Sequence, residues 1–215
     1  MADLTTYEGL KEAIADYLGR DDLEERIPTF IRLAEVRMNR DIRARVMERR
    51  AVRDIEAGCR GVKLPADRTD GAWNVFMEMR DLVWHPQGGR TVNLHYVTPD
   101  EYRMLGERTG VPSSYTIVGD DLFLLPVPEG AGRLELTFYA EIPPLSDKQE
   151  CNPLLHTAPD LYLYASLMES VPFTRGSVPL QEWMQAYSEA VDKLNHQESR
   201  ARFTSNLKMR PARGI

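Results

Sequence analysis

Apolar residues recur three or four positions apart toward both ends of the chain and at every second position through its middle. Thr5-Thr6-Tyr7-Glu8 has the form of a capping box, a hydroxyl followed three residues later by a carboxylate, and Leu10, Ile14, Tyr17 and Leu18 follow at helical spacing. This predicts a short first helix ending near Gly19. The acidic turn Asp21-Asp22 leads to Pro28, whose fixed φ suits the first turn of a helix, and Ile31, Ala34, Met38 and Ile42 form the stripe of a second. That helix is expected to reach about Arg45, with Arg32, Arg37, Arg40 and Arg43 outside the stripe.

After Met47 the period changes to two, and Gly or Asp-Gly turns punctuate the chain. Val75, Met77 and Met79 alternate with Phe76 and Glu78. Gln87-Gly88-Gly89 turns that strand back into residues 91–97, a hairpin. Thr98-Pro99-Asp100-Glu101 is a strong helix start, and the helix ends near Gly106 or Gly110. A second hairpin joins residues 114–118 to 122–126 through Gly119-Asp120-Asp121, and Arg133 to Glu141 adds a strand. Residues 47–142 therefore read as a mostly antiparallel β-subdomain.

Thr157-Ala158-Pro159-Asp160 opens a further helix with an acid in its first turn, where the helix dipole favours it. Leu161, Tyr164, Leu167, Met168 and Val171 share one side while Tyr162, Leu163 and Ala165 leave little polar surface, as in a helix packed on several sides. Pro179 starts a long helix in which Trp183, Tyr187, Val191 and Leu194 recur. Beyond it the periodicity weakens, so the last residues read as an extended arm that orders on a partner. The fold class is α+β: a helical bundle formed by the N- and C-terminal helices, with an inserted antiparallel β-subdomain and an extended C-terminal arm. The boundaries fall at 1–46 and 146–199 for the bundle, 47–145 for the insert and 200–215 for the arm.

Composition narrows the class. With 42% apolar and 28% charged residues in 215, the chain is that of an ordinary globular protein. No window approaches the roughly 20 apolar residues that span a bilayer, and Met1-Ala2-Asp3-Leu4 lacks the basic-then-apolar start of a signal peptide, so neither export nor membrane insertion is expected. Cys59 and Cys151 lie far apart and read as reduced structural cysteines. The net charge is −6, yet Arg200, Arg202, Lys208, Arg210 and Arg213 put +5 on the last sixteen residues, leaving −11 on residues 1–199. An acidic body repels DNA, while a basic tail seeks an acidic surface or phosphate.

Catalytic chemistry is not legible. His85, His95, His156 and His196 are scattered, without the spacing of a metal site, and no nucleophile elbow, phosphate-binding loop or dinucleotide fingerprint occurs. Asp120-Asp121 flanks a glycine between two strands, which is hairpin chemistry. The expectation is a protein that is not an enzyme, without catalytic residues, cofactor or metal.

Four stretches, in this order, carry a resemblance: Ile27 to Glu35 followed by Met38-Asn39-Arg40-Asp41, the hairpin Tyr115 to Pro126, Phe138 to Asp147, and Ala158 to Ala165. Together they resemble the head-to-tail adaptor (head completion or connector) proteins of tailed bacteriophages, especially the short-tailed ones. The resemblance implies a structural virion protein, made in the host bacterial cytoplasm and located in the neck between head and tail. Its partners would be the portal protein, a tail or nozzle protein, and copies of itself in a homo-oligomeric ring, a dodecamer matching the portal. Packaged double-stranded DNA would pass through the ring without specific binding, past an acidic wall. In such adaptors the C-terminal segment reaches along the portal, which makes Arg200, Arg202, Phe203, Lys208, Arg210 and Arg213 the candidate portal-binding residues.

Three other readings compete. A tail-tube or tail-terminator subunit would share the acidity and the arm, but such folds are dominated by β-structure. A virion-associated cell-wall hydrolase would need two carboxyls converging at roughly 5–10 Å in a cleft. A nucleic-acid-binding module would act through Arg200 to Arg213, with affinity falling steeply in salt.

Overall fold

A computed structural model describes residues 3–69, 73–106, 108–174 and 178–203, with side chains at all of these except position 21 and positions 197–203. The chain divides into two compact units, a helical one from Met1–Val46 with Ile142–Ile215 and a β-rich one from Met47–Glu141.

Helix α1 (Tyr7–Leu18) opens the helical unit. Its cap is Thr6, whose hydroxyl accepts the Gly9 N–H at 3.1 Å, because Thr5 is engaged with the Asp3 carboxylate through both its N–H and its hydroxyl. Gly19 ends the helix at φ 57°, a conformation glycine adopts without a Cβ penalty, and its N–H returns to the Ala15 carbonyl. A 3₁₀ turn, Asp21–Arg26, then leads into α2 (Ile27–Asp41). Phe30, Ile31, Ala34 and Met38 bury one face of α2. The helix stops at Asp41, four residues before the expected end, because Ile42 turns to an extended conformation.

The β-rich unit runs β1 (Glu48–Ile55), β2 (Gly61–Lys63), β3 (Ala66–Asp67), β4 (Asn74–Pro86), β5 (Val92–Asn93) and β6 (His95–Tyr96). It continues with α3 (Pro99–Leu105), β7 (Thr109–Gly110), β8 (Ser114–Val118), β9 (Asp121–Leu125), β10 (Val127–Pro128) and β11 (Gly132–Ala140). A five-stranded sheet has the order β1-β11-β4-β3, with β5 also on β4, a four-stranded sheet the order β2-β9-β8-β6, and β10 and β7 form a two-stranded ribbon. Most pairings are antiparallel, although β6 with β8 and β7 with β10 are parallel. The first and last long strands are neighbours, Glu48 standing opposite Tyr139. Leu82, Trp84, Leu134, Leu136 and Phe138 from one sheet and Tyr115, Leu122 and Leu124 from the other form a single cluster, so the two sheets share a core.

Two expectations fail here for identifiable reasons. The alternation across residues 75–79 does not hold, because β4 slips register against β11 between Thr137 and Phe138 and again between Tyr139 and Ala140. Each extra residue reverses the parity of the strand, so Phe76 and Met79 both pack on the core, Phe76 with its ring 5.7 Å from that of Phe138. The return arm of the first hairpin is also split. Val92 and Asn93 pair with β4, but at buried Leu94 the chain changes sheets and His95 and Tyr96 pair with β8.

The chain completes the helical unit with α4 (Pro153–Thr157), α5 (Pro159–Ser170) and α6 (Leu180–Phe203). Asn152 caps α4 by accepting the Leu155 N–H at 2.8 Å, ahead of Pro153 in the first turn. Helix α5 buries Leu161, Tyr162, Leu163, Ala165 and Leu167 and packs against α1, α2, α4 and α6. Helix α6 buries Trp183, Tyr187, Ala190 and Leu194, with Ala190 rather than Val191 completing the stripe. It also runs 24 residues to Phe203, so Arg200, Arg202 and Phe203 are helical and not part of an extended arm beginning at 200. Weak apolar periodicity there does not mark the end of the helix. It is not a stop signal, since residues 197–202 contain no Gly or Pro and are mostly good helix formers.

The Tyr187 hydroxyl donates to Asp41 at 2.9 Å, and burial followed by the adjacent carboxylate raises the phenol's pKa. Tyr187→Phe is expected to cost about 1 kcal/mol, seen as a lower denaturant midpoint. Adding Asp41→Ala to that variant should cost little more; full additivity would show that the bond contributes nothing.

Candidate functional site

The chain returns to the helical unit through residues 142–145, and polar side chains hold it there. The Ile142 N–H donates to Asn39 at 2.9 Å and the Leu145 N–H to the Glu35 carboxylate at 2.6 Å. Asn152 donates to the Pro143 carbonyl at 2.7 Å and to the Tyr162 hydroxyl at 2.6 Å. Glu35 is 1% exposed on the core face of α2, and its one charged hydrogen-bond partner among the described residues, Arg32 at 3.2 Å, is itself 62% exposed. Burial therefore pushes the carboxyl up to about 7, against the opposing pull of the Leu145 N–H and of Arg32. A raised carboxyl is a frequent mark of an active site. Glu35, however, lines neither the cleft beside α1 nor the two clefts on the β-rich unit. Its geometry is that of a clamp.

Charge is sorted along the first 45 residues. Residues 1–25 hold eight acids and two bases, whereas residues 26–45 hold six arginines and two acids. Glu8, Glu12 and Asp16 follow one another at i, i+4 and i+8 on α1, and with Glu24 they line a cleft of about 460 Å³. Lys11, the one base among the described residues of the cleft, is held by Glu8 at 2.7 Å. On α2, Arg32, Leu33, Val36 and Arg40 form the exposed face, with Leu33 42% and Val36 38% accessible.

The outer face of the larger sheet is balanced instead. Arg50 contacts Glu135 at 2.6 Å and His85 lies 3.3 Å from the same carboxylate, while Arg133 approaches Asp54 at 3.6 Å. Arg50 holds the Glu135 carboxyl below the usual range. Such cross-strand pairs suit a solvated sheet surface. Asp121 is likewise engaged, by Lys63 at 2.8 Å across β2 and β9. Among the described residues no group of three or more His, Cys, Asp or Glu is placed to hold a metal ion, and no helix is long and apolar enough to cross a membrane.

Of the candidate portal-binding residues, Arg200, Arg202 and Phe203 form the last turn of α6, and Lys208, Arg210 and Arg213 lie outside the described residues. The buried clamp escaped sequence reasoning, although Glu35 stands four residues after Ile31 and three before Met38, on the stripe itself.

A family model described as SU10 adaptor protein matches residues 5–211. A search of curated proteins finds no match.

Proposed function

Since the chain belongs to the SU10 adaptor protein family, and so to the structural proteins of the bacteriophage virion, we propose that it forms the ring joining head to tail in a short-tailed phage. The observation that carries the reading is the match over 5–211, which takes in both units and most of the basic C-terminal segment. Twelve copies sit beneath the portal, extend the DNA channel and dock a tail or nozzle protein, with no catalytic role. The wall is acidic, so packaged duplex slides past it without adhering. The basic segment, with Lys208, Arg210 and Arg213 beyond the end of α6, makes the portal contact, and the subunits order there from monomers.

The test is negative-stain imaging of the purified protein with its portal. Twelve-fold rings stacked on the portal are expected; a species that stays monomeric and never docks overturns the reading. Truncation after Phe203 is expected to leave the folded content unchanged by circular dichroism, because it leaves α6 whole and the helix buries Trp183, Tyr187, Ala190 and Leu194 among its described side chains. The same truncation should weaken portal docking by at least about 100-fold if three or more charged contacts are lost. Docking at full affinity would remove the segment from the interface.

A further inference from the structure

A closed ring made of one kind of subunit has heterologous contacts, in which one patch of each copy meets a different patch of the next. Resting on the ring proposed above, we infer that the acidic ridge of α1 in one copy takes the arginine face of α2 in its neighbour. The acidic side offers Glu8, Glu12, Asp16 and Glu24 around the cleft, with Tyr17, 56% exposed, one residue past the ridge. The basic side offers Arg32 and Arg40 flanking the exposed pair Leu33 and Val36. None of these four α2 residues lines the cleft, so the two patches are separate in residue content, as a heterologous contact requires.

Both helices spend their other faces on the core of their own unit. Tyr7, Leu10, Ala13 and Ile14 on α1 and Phe30, Ile31, Ala34 and Met38 on α2 are buried, so the charged faces are outward by helical geometry. The sorting of charge picks the occupant. Each patch is the complement of the other and is present on every copy, so a second copy satisfies both at once. The apolar pair between two arginines supplies contact area to desolvate, and the charges supply register and direction.

The experiment reverses each side separately. Variant one is Glu12→Arg with Asp16→Arg; variant two is Leu33→Glu with Arg40→Glu, which leaves Arg32 to its contact with Glu35. Ring formation on isolated portal is followed by electron microscopy and native mass spectrometry, with thermal melting to confirm that each variant folds. Each variant alone is expected to lose rings, or to need at least about tenfold more protein to form them. The equimolar mixture is expected to recover rings of alternating subunits, since each reversed face then meets its complement.

Rings formed as readily by either variant alone overturn the inference, and so does a mixture of folded variants that fails to recover them. Closed two-subunit particles from the mixture would mean that the patches pair symmetrically and would also overturn it. Duplex DNA retained by the wild type and released by variant two would assign the α2 face to nucleic acid instead. A wild-type protein that never docks on the portal defeats the adaptor reading itself, a result distinct from wild-type rings accompanied by equally good rings from the variants.

Discussion

Glu35→Gln is expected to stabilise the helical unit at pH 8 by up to ~3 kcal/mol while changing little at pH 4. The carboxyl is raised from its ordinary value of 4.5 to about 7 when folded, chiefly by burial. Below pH 4.5 it is protonated in both states, and the stability associated with its protonated form is fully present. As pH rises from 4.5 through 7 the unfolded chain ionises first, so stability is lost until the folded group ionises as well. Glutamine is neutral throughout and keeps an oxygen to accept the Leu145 N–H, so that loss disappears. Glu35→Leu, by contrast, leaves the Leu145 N–H without its acceptor and is expected to cost about 1–3 kcal/mol at pH 4. Urea denaturation at several pH values decides the matter: a difference between wild type and Glu35→Gln that does not change with pH would mean the carboxyl titrates normally.

Gly132→Ala should lower the melting transition of the β-rich unit by roughly 10 °C or more, the upper range of core overpacking. A Cβ on Gly132 would fall 2.5 Å from two carbons of the Trp84 ring and 2.7 Å from the His85 carbonyl oxygen. Trp84 is 1% exposed among Ile55, Leu82, Leu134 and other core residues, and the backbone carbonyl cannot give way cheaply. Combining Gly132→Ala with Trp84→Phe is expected to cost less than the sum of the two single changes, because the smaller ring frees the space the methyl needs. Strict additivity, or a Gly132→Ala protein as stable as wild type, would show that the ring does not pack there.

What the residues announced in advance was mostly local. The Thr98 capping box is present in both halves, the hydroxyl accepting the Glu101 N–H and the Glu101 carboxylate accepting the Thr98 N–H. The hairpin between β8 and β9 turns at Gly119-Asp120 as its sequence implied, and the stripe of Ile31, Ala34 and Met38 is buried. Such features depend on neighbours within four residues, which a sequence displays. The bulges of β4, the change of sheet at Leu94 and the clamp on Leu145 depend on segments far away, the last across 110 positions. Asn152-Pro153 was a readable helix start, but α4 is only five residues long and has too few apolar positions to show a period. Charge misled by summation. A total of −6 conceals the opposition between residues 1–25 and 26–45, and the end of α6 escapes apolar pattern because a helical stretch poor in apolar residues and a loop look alike in it.

The strands that begin and end the β-rich unit, β1 and β11, are hydrogen-bonded partners, so its two termini leave side by side. Paired backbones in an antiparallel ladder stand only about 5 Å apart, and a loop of a few residues closes such a gap at little entropic cost. The insert is thus a cassette: cut between Val46 and Ile142, it can be replaced by a short turn or by another domain whose ends are equally close. A lineage of such proteins can then change what it presents to its surroundings while α1, α2, α5 and α6 keep the same threading.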